Sequence, residues 1–105
     1  MRKTTAKPTA KTKTVPYDVA EQLRTPEEMA AYLDVWLEEA PDDAAGIARA
    51  LGDIARAKGM SQVARDAGLS RESLYKALSE NGNPSLATVL KVAKALGVRL
   101  HAEAA

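Results

Sequence analysis

The chain has 105 residues, an apolar fraction of 46% and a formal net charge of +1, which fits one small soluble domain. It contains no Cys and a single His, so a disulfide framework, a thiolate metal centre and a site built on several imidazoles are excluded. No apolar run approaches the ~20 residues that span a bilayer, and the basic N-terminal stretch lacks the apolar segment of a secretory signal; a cytoplasmic protein with no membrane contact is expected.

The charge is segregated along the chain. Residues 1–16 carry Arg2, Lys3, Lys7, Lys11 and Lys13 and no acid. From Asp18 to Asp43 the acids predominate against Arg24 alone, and from residue 44 onward bases outnumber acids again. Such a pattern suggests two faces with different partners. Residues 1–16, rich in Lys, Thr and Pro, have almost nothing to bury and are predicted to be a disordered basic tail. The tail is either simply solvated or an arm that tracks phosphates and adds a salt-sensitive increment to nucleic-acid affinity. Residues 17–105 read as one helical domain. Tyr17 to Arg24 is a short helical turn or an extended lead-in that docks Val19 and Leu23.

Thr25 as N-cap, Pro26 at the first helical position and Glu28 three residues after the cap form a capping box on a proline start, so a helix begins there. Met29, Tyr32, Leu33, Trp36, Leu37 and Ala40 recur at three- and four-residue spacing as one apolar stripe, with Asp34, Glu38 and Glu39 off it. Pro41-Asp42-Asp43 breaks the chain and restarts it, with acids where a helix N-terminus favours negative charge. The next helix runs to about Lys58, turns Ile47, Ala48, Leu51, Ile54 and Ala55 inward, and closes at Gly59. Gly46 and Gly52 each cost about 1 kcal/mol relative to Ala inside a helix. Gly52 shares a side with Ala48 and Ala55, which predicts close packing of another helix there; nothing in the sequence accounts for Gly46.

Ser61 to Ser79, SQVARDAGLSRESLYKALS, reads as a helix-turn-helix. Two helices that cross steeply over a short turn need a small residue in the first where the second passes, and Ala64 supplies it. Gly68 ends the first helix in the left-handed conformation, Leu69 turns inward and Ser70 caps the second. Val63, Ala67, Leu69, Leu74 and Ala77 form the buried side, leaving Arg71, Glu72, Ser73, Tyr75 and Lys76 outside. Glu80-Asn81-Gly82-Asn83-Pro84 is a loop by its turn residues. Ser85 caps a last helix expected to bury Leu86, Val89, Leu90, Ala93 and Leu96 and to end at Gly97. Val98 to Ala102 alternates apolar and polar: a short strand, paired with the same strand of a second subunit, or a frayed extended tail.

Ala44 to Leu100 resembles the lambda-repressor-like (Xre) DNA-binding domains in the ordered set Ala64, Gly68, Leu69, Ser70 and Leu74, then GNPSL at 82–86 and the ending KVAKALGV. More narrowly, residues 17–100, with the acidic segment AAYLDVWLEEA before DIARAKGMSQVARDAGLSRESLYKALSENGNPSLATVLKVAKALG, resemble the addiction-module antidote proteins. The resemblance implies an all-α, lambda-repressor-like helix-turn-helix bundle with an extra N-terminal acidic helix. It also implies an antitoxin of a type II toxin–antitoxin module, which binds a cognate small basic toxin of the RelE/ParE type and represses its own operon. Many lambda-repressor-like domains place a Gln at the start of the first motif helix to brace the recognition helix against phosphate; here that position holds Met60, and Gln62 lies two residues on.

In this architecture the N-terminal half of the second motif helix enters the DNA major groove. Arg71, Glu72 and Lys76 are therefore candidates for base edges, Arg to guanine O6 and N7 and a carboxylate to cytosine N4. Ser70, Ser73, Tyr75, Asn83, Lys58 and Arg65 are candidates for phosphates. Against these stand ordinary duties: a solvated helix face, a cap for Ser70, a turn for Asn83. Tyr32 and Trp36 are either core or, with Glu38 and Glu39, a toxin-binding face. No catalytic relay can be assembled from one tail His, so an enzyme is not expected, nor a cofactor or metal. The functions left are an operator-binding homodimer on double-stranded DNA, a protein-binding antitoxin with the motif as scaffold, or both together. The alternative is a stand-alone phage- or plasmid-type repressor without a toxin.

Overall fold

The computed structural model describes residues 22–79 and 81–105; the basic tail, Val19 and most of the Tyr17–Arg24 lead-in lie outside them. Five helices follow in order: α1 (Pro26–Glu39), α2 (Ala44–Lys58), α3 (Met60–Ala67), α4 (Arg71–Ala77) and α5 (Leu86–Leu96). Among the described residues there is no strand.

Most helix ends have a reason written locally in the chain. At α1, the Glu28 N–H donates to Thr25 Oγ1 at 3.1 Å and the Thr25 N–H donates back to Glu28 Oε1 at 3.1 Å, the reciprocal capping box. The Arg24 backbone N–H adds a third bond to Glu28 at 2.9 Å and its guanidinium a fourth at 3.2 Å; these hold the Glu28 carboxyl below its ordinary range. Asp43 caps α2 by accepting from the Gly46 N–H at 2.8 Å. Gly59, at φ 118°, both ends α2 and opens α3. Gly68, at φ 73°, ends α3: its N–H reaches Arg65 O and the Leu69 N–H reaches back to Ala64 O at 2.8 Å, the paired bonds of a Schellman motif. The same pair closes α5, where Val98 N–H donates to Ala93 O at 2.9 Å.

The α3 helix is central, packing against α2, α4 and α5, while α1 lies on α2. Leu51, Ile54, Val63, Leu74, Val92 and Leu96 are the large side chains sealed from solvent, and each contributes roughly 1.5–3 kcal/mol by leaving water. Ala64 is buried, as expected of the crossing point of α3 and α4. Gly52 meets the end of α4, where an added Cβ would stand 3.0 Å from the Leu78 carbonyl oxygen. Gly46 also finds its reason: a Cβ there would lie 2.5 Å from Trp36 Cζ3 and would collide with the Asp43 carboxylate. The Trp36 ring of α1 thus rests directly on the backbone of the first turn of α2.

Two faces differ from their expected assignment. Leu86 and Leu90, expected inward, are 69% and 49% exposed, and Val92 is sealed instead; the buried stripe of α5 runs through Val89, Val92, Ala93 and Leu96, because its partner α3 lies on that side. Leu37, expected in the α1 stripe, is 40% exposed at its rim. Val98 to Ala102 forms no strand, yet Val98 is buried and Leu100 packs against the core, so the segment is anchored.

Candidate nucleic-acid interface

The α4 helix has seven residues and one buried side chain within it, Leu74. Too short to hold itself in water, it is kept helical by Leu74 and by its N-cap, where the Ser73 N–H donates to Ser70 Oγ at 3.0 Å. Leu78, the C-cap, is a second buried anchor. Arg71, Glu72, Ser73, Tyr75 and Lys76 all stand exposed, presenting two cations, one carboxylate and two hydroxyls on one protruding element.

Their local bonds limit what each can still do. The Arg71 guanidinium sits 5.0 Å from the centre of the Tyr75 ring and reaches its hydroxyl at 3.5 Å, so these two side chains form one cation–π unit on the outer face. Ser70 Oγ donates to Ser73 Oγ at 2.9 Å. That bond commits the Ser70 proton to the cap and leaves the Ser73 hydroxyl as the free donor. Ser73, Lys76 and Asn83 line one shallow concavity together with Ser85 and Thr88 at the start of α5. Arg65 is exposed in the last turn of α3. Lys58 lies elsewhere, beside Leu23, Arg24, Pro26 and Leu96 in a depression between the entry to α1 and the end of α5. Met60 is buried at the start of α3 and works as a core residue, whereas Gln62 is exposed.

The four candidates on α1 separate into two pairs. Tyr32 and Trp36 are half-buried against the core. The Tyr32 hydroxyl donates to Asp53 Oδ2 at 2.8 Å, and the Arg49 guanidinium lies 5.6 Å from the Trp36 ring centre. Asp53 also accepts from Arg56, so a single α2 carboxylate ties α1 to α2. Asp53 and Arg49 were missed at the level of sequence; the one signal for them was an acid set among the bases of α2. Glu38 and Glu39 stay exposed at the end of α1.

Burial, reinforced by the Asp53 carboxylate, pushes the Tyr32 phenol from its ordinary 10.0 up to about 12. The proton is held more tightly in the folded state, so this contribution to stability is complete below ~10 and is lost as the pH rises through about 12. An ultraviolet titration is expected to show one late phenolate that Tyr32→Phe removes. Ionisation of all tyrosines near 10 would contradict the burial. Among the described residues no helix is long and apolar enough to cross a membrane, and no His, Cys, Asp or Glu cluster is placed to hold a metal ion.

Residues 13–104 match the family model described as "Probable addiction module antidote protein". The chain belongs to this family. An addiction module antidote implies a toxin as partner. The antidote is also 56% identical over 87 residues to a protein of Haemophilus influenzae that carries the description "Uncharacterized protein", a similarity spanning 83% of this chain and 88% of the relative. No solved structure matches the antidote.

Proposed function

We propose that the protein is the antitoxin of a type II toxin–antitoxin module, acting in the cytoplasm on two partners. It neutralises a small basic toxin of the RelE/ParE type by direct binding, and as a homodimer it represses its own operon. The α3–α4 unit is then a lambda-repressor-like helix-turn-helix, with α4 in the major groove and the two α4 helices of the dimer about 34 Å apart on an inverted repeat. Arg71, Glu72 and Lys76 read bases. Ser73, Asn83 and Arg65 bind phosphates, with Ser70 and Tyr75 as supports: Ser70 orients Ser73, and Tyr75 carries Arg71. Lys58, set apart from this surface, belongs to the phosphate footprint only if the DNA wraps towards the entry to α1.

The observation that carries the reading is the concentration of free donors on α4 in a member of an antidote family. Arg71→Ala is expected to weaken binding to the DNA upstream of the gene by about 1–3 kcal/mol and to relax the sequence preference at one position of each half-site. Specific binding unaffected by Arg71→Ala would remove Arg71 from the readout, and wild-type binding no tighter than to random DNA would end the operator reading. The stand-alone repressor is the competing function; stable co-purification with the product of the adjacent reading frame separates the two.

A further inference from the structure

The outer side of α1 is a surface that neither core packing nor α4 uses. Glu27, Ala31, Asp34 and Glu38 follow one another at four-, three- and four-residue steps, and all are exposed. That spacing puts them on one line of the helix, turned away from the buried Met29 and Leu33. Beside the line runs a groove, with Ala30, Ala31, Asp34 and Leu37 on the α1 wall and Leu100 and His101 on the other. Ala30 and Ala31 are small enough for another backbone to approach closely, and Leu37 offers an exposed apolar edge.

Asp34 and Glu38 have no ion-pair partner among the described residues. Between Arg24 and Arg49 the chain has no Lys or Arg, and of the carboxylates in that stretch only Glu28 has an ion-pair partner among the described residues. Glu38 and Glu39 stand in the last turn of α1, which carries no base, at the end of a helix where the backbone dipole disfavours negative charge. Folding alone is better served by Lys at those positions.

We infer that this groove is where the toxin docks, through a basic amphipathic segment whose apolar side covers Leu37 and the two alanines and whose Lys or Arg side chains pair with Asp34 and Glu38. The inference rests on the antitoxin reading above. Arg99 stands on the opposite wall, so the cations of the occupant face α1. Tyr32 and Trp36 act indirectly, by holding α1 on α2.

Calorimetric titration of the full chain with the product of the reading frame adjacent to its gene tests this. Glu38→Lys is expected to raise the melting temperature, because a cation suits the C-terminal turn, yet to lower toxin affinity about 10-fold; Glu38→Lys combined with Asp34→Lys is expected to lose on the order of 100-fold. Binding of the upstream DNA stays at the wild-type level in both. If the wild type binds the adjacent product and both variants bind it equally well, the groove is not the docking site and the antitoxin reading stands. If the wild type does not bind it, the antitoxin reading fails and the docking site with it.

Discussion

Leu74→Ala is expected to destabilise the protein by about 3 kcal/mol and to abolish the specific DNA binding proposed for α4. Leu74 is fully buried and is the one buried side chain within the seven residues of α4. Removing a sealed Leu leaves both its transfer free energy and the cost of an unfilled cavity, roughly 2–5 kcal/mol together. Local collapse cannot recover much of it, since Val63 and Ala64 belong to α3, which α2 and α5 already hold in place. The effect on binding is larger than the effect on stability suggests. Without this anchor α4 keeps only its N-cap and Leu78 at its C-terminal end, too little to hold two turns of helix in water, so the side chains from Arg71 to Lys76 lose their common frame. Chemical denaturation measures the first effect and titration with the upstream DNA the second. Destabilisation below about 1 kcal/mol would mean that Leu74 does not pin α4.

Gly46→Leu is expected to cost about 1–3 kcal/mol and to shift Trp36 fluorescence towards that of an exposed indole. The substitution gains about 1 kcal/mol of helix propensity. Against this gain, the new Cβ meets Trp36 Cζ3 at 2.5 Å and collides with the Asp43 carboxylate. Overpacking of this kind costs about 1–3 kcal/mol. Moving Asp43 aside forfeits the cap on the Gly46 N–H, worth about 1 kcal/mol more. The damage falls on the α1–α2 contact, so the proposed toxin binding is expected to weaken and the DNA binding proposed for α4 to be unaffected. A melting temperature equal to or above that of the wild type would show that Trp36 does not rest on α2.

The helix boundaries were legible because their causes are local. Thr25, Asp43, Ser70 and Ser85 cap the helices that follow them, and Gly59, Gly68 and Gly97 end the helices before them, each bond spanning five residues or fewer. The exposure of Arg71, Glu72, Ser73, Tyr75 and Lys76 was legible too, since a helix with one buried Leu has only one way to face the core. Periodicity was less decisive for α5. Leu86, Val89, Leu90, Val92, Ala93 and Leu96 cover so much of its circumference that a buried face can be drawn through several subsets; the position of α3 selected the one without Leu86 and Leu90.

The sequence by itself determined that the chain is helical, where its helices start and stop, and which short helix carries free polar side chains, because each of these follows from bonds and spacings within a few residues. Only the tertiary structure decided what depends on contacts distant in the chain. It showed why Gly46 must be Gly, that Tyr32 is engaged by Asp53 twenty-one residues away, and that Lys58 stands apart from α4. It also showed that the acidic side of α1, with the C-terminal segment laid beside it, forms a groove. Such contacts rest on how one helix lies across another, and the spacing of residues within a single helix does not contain that angle.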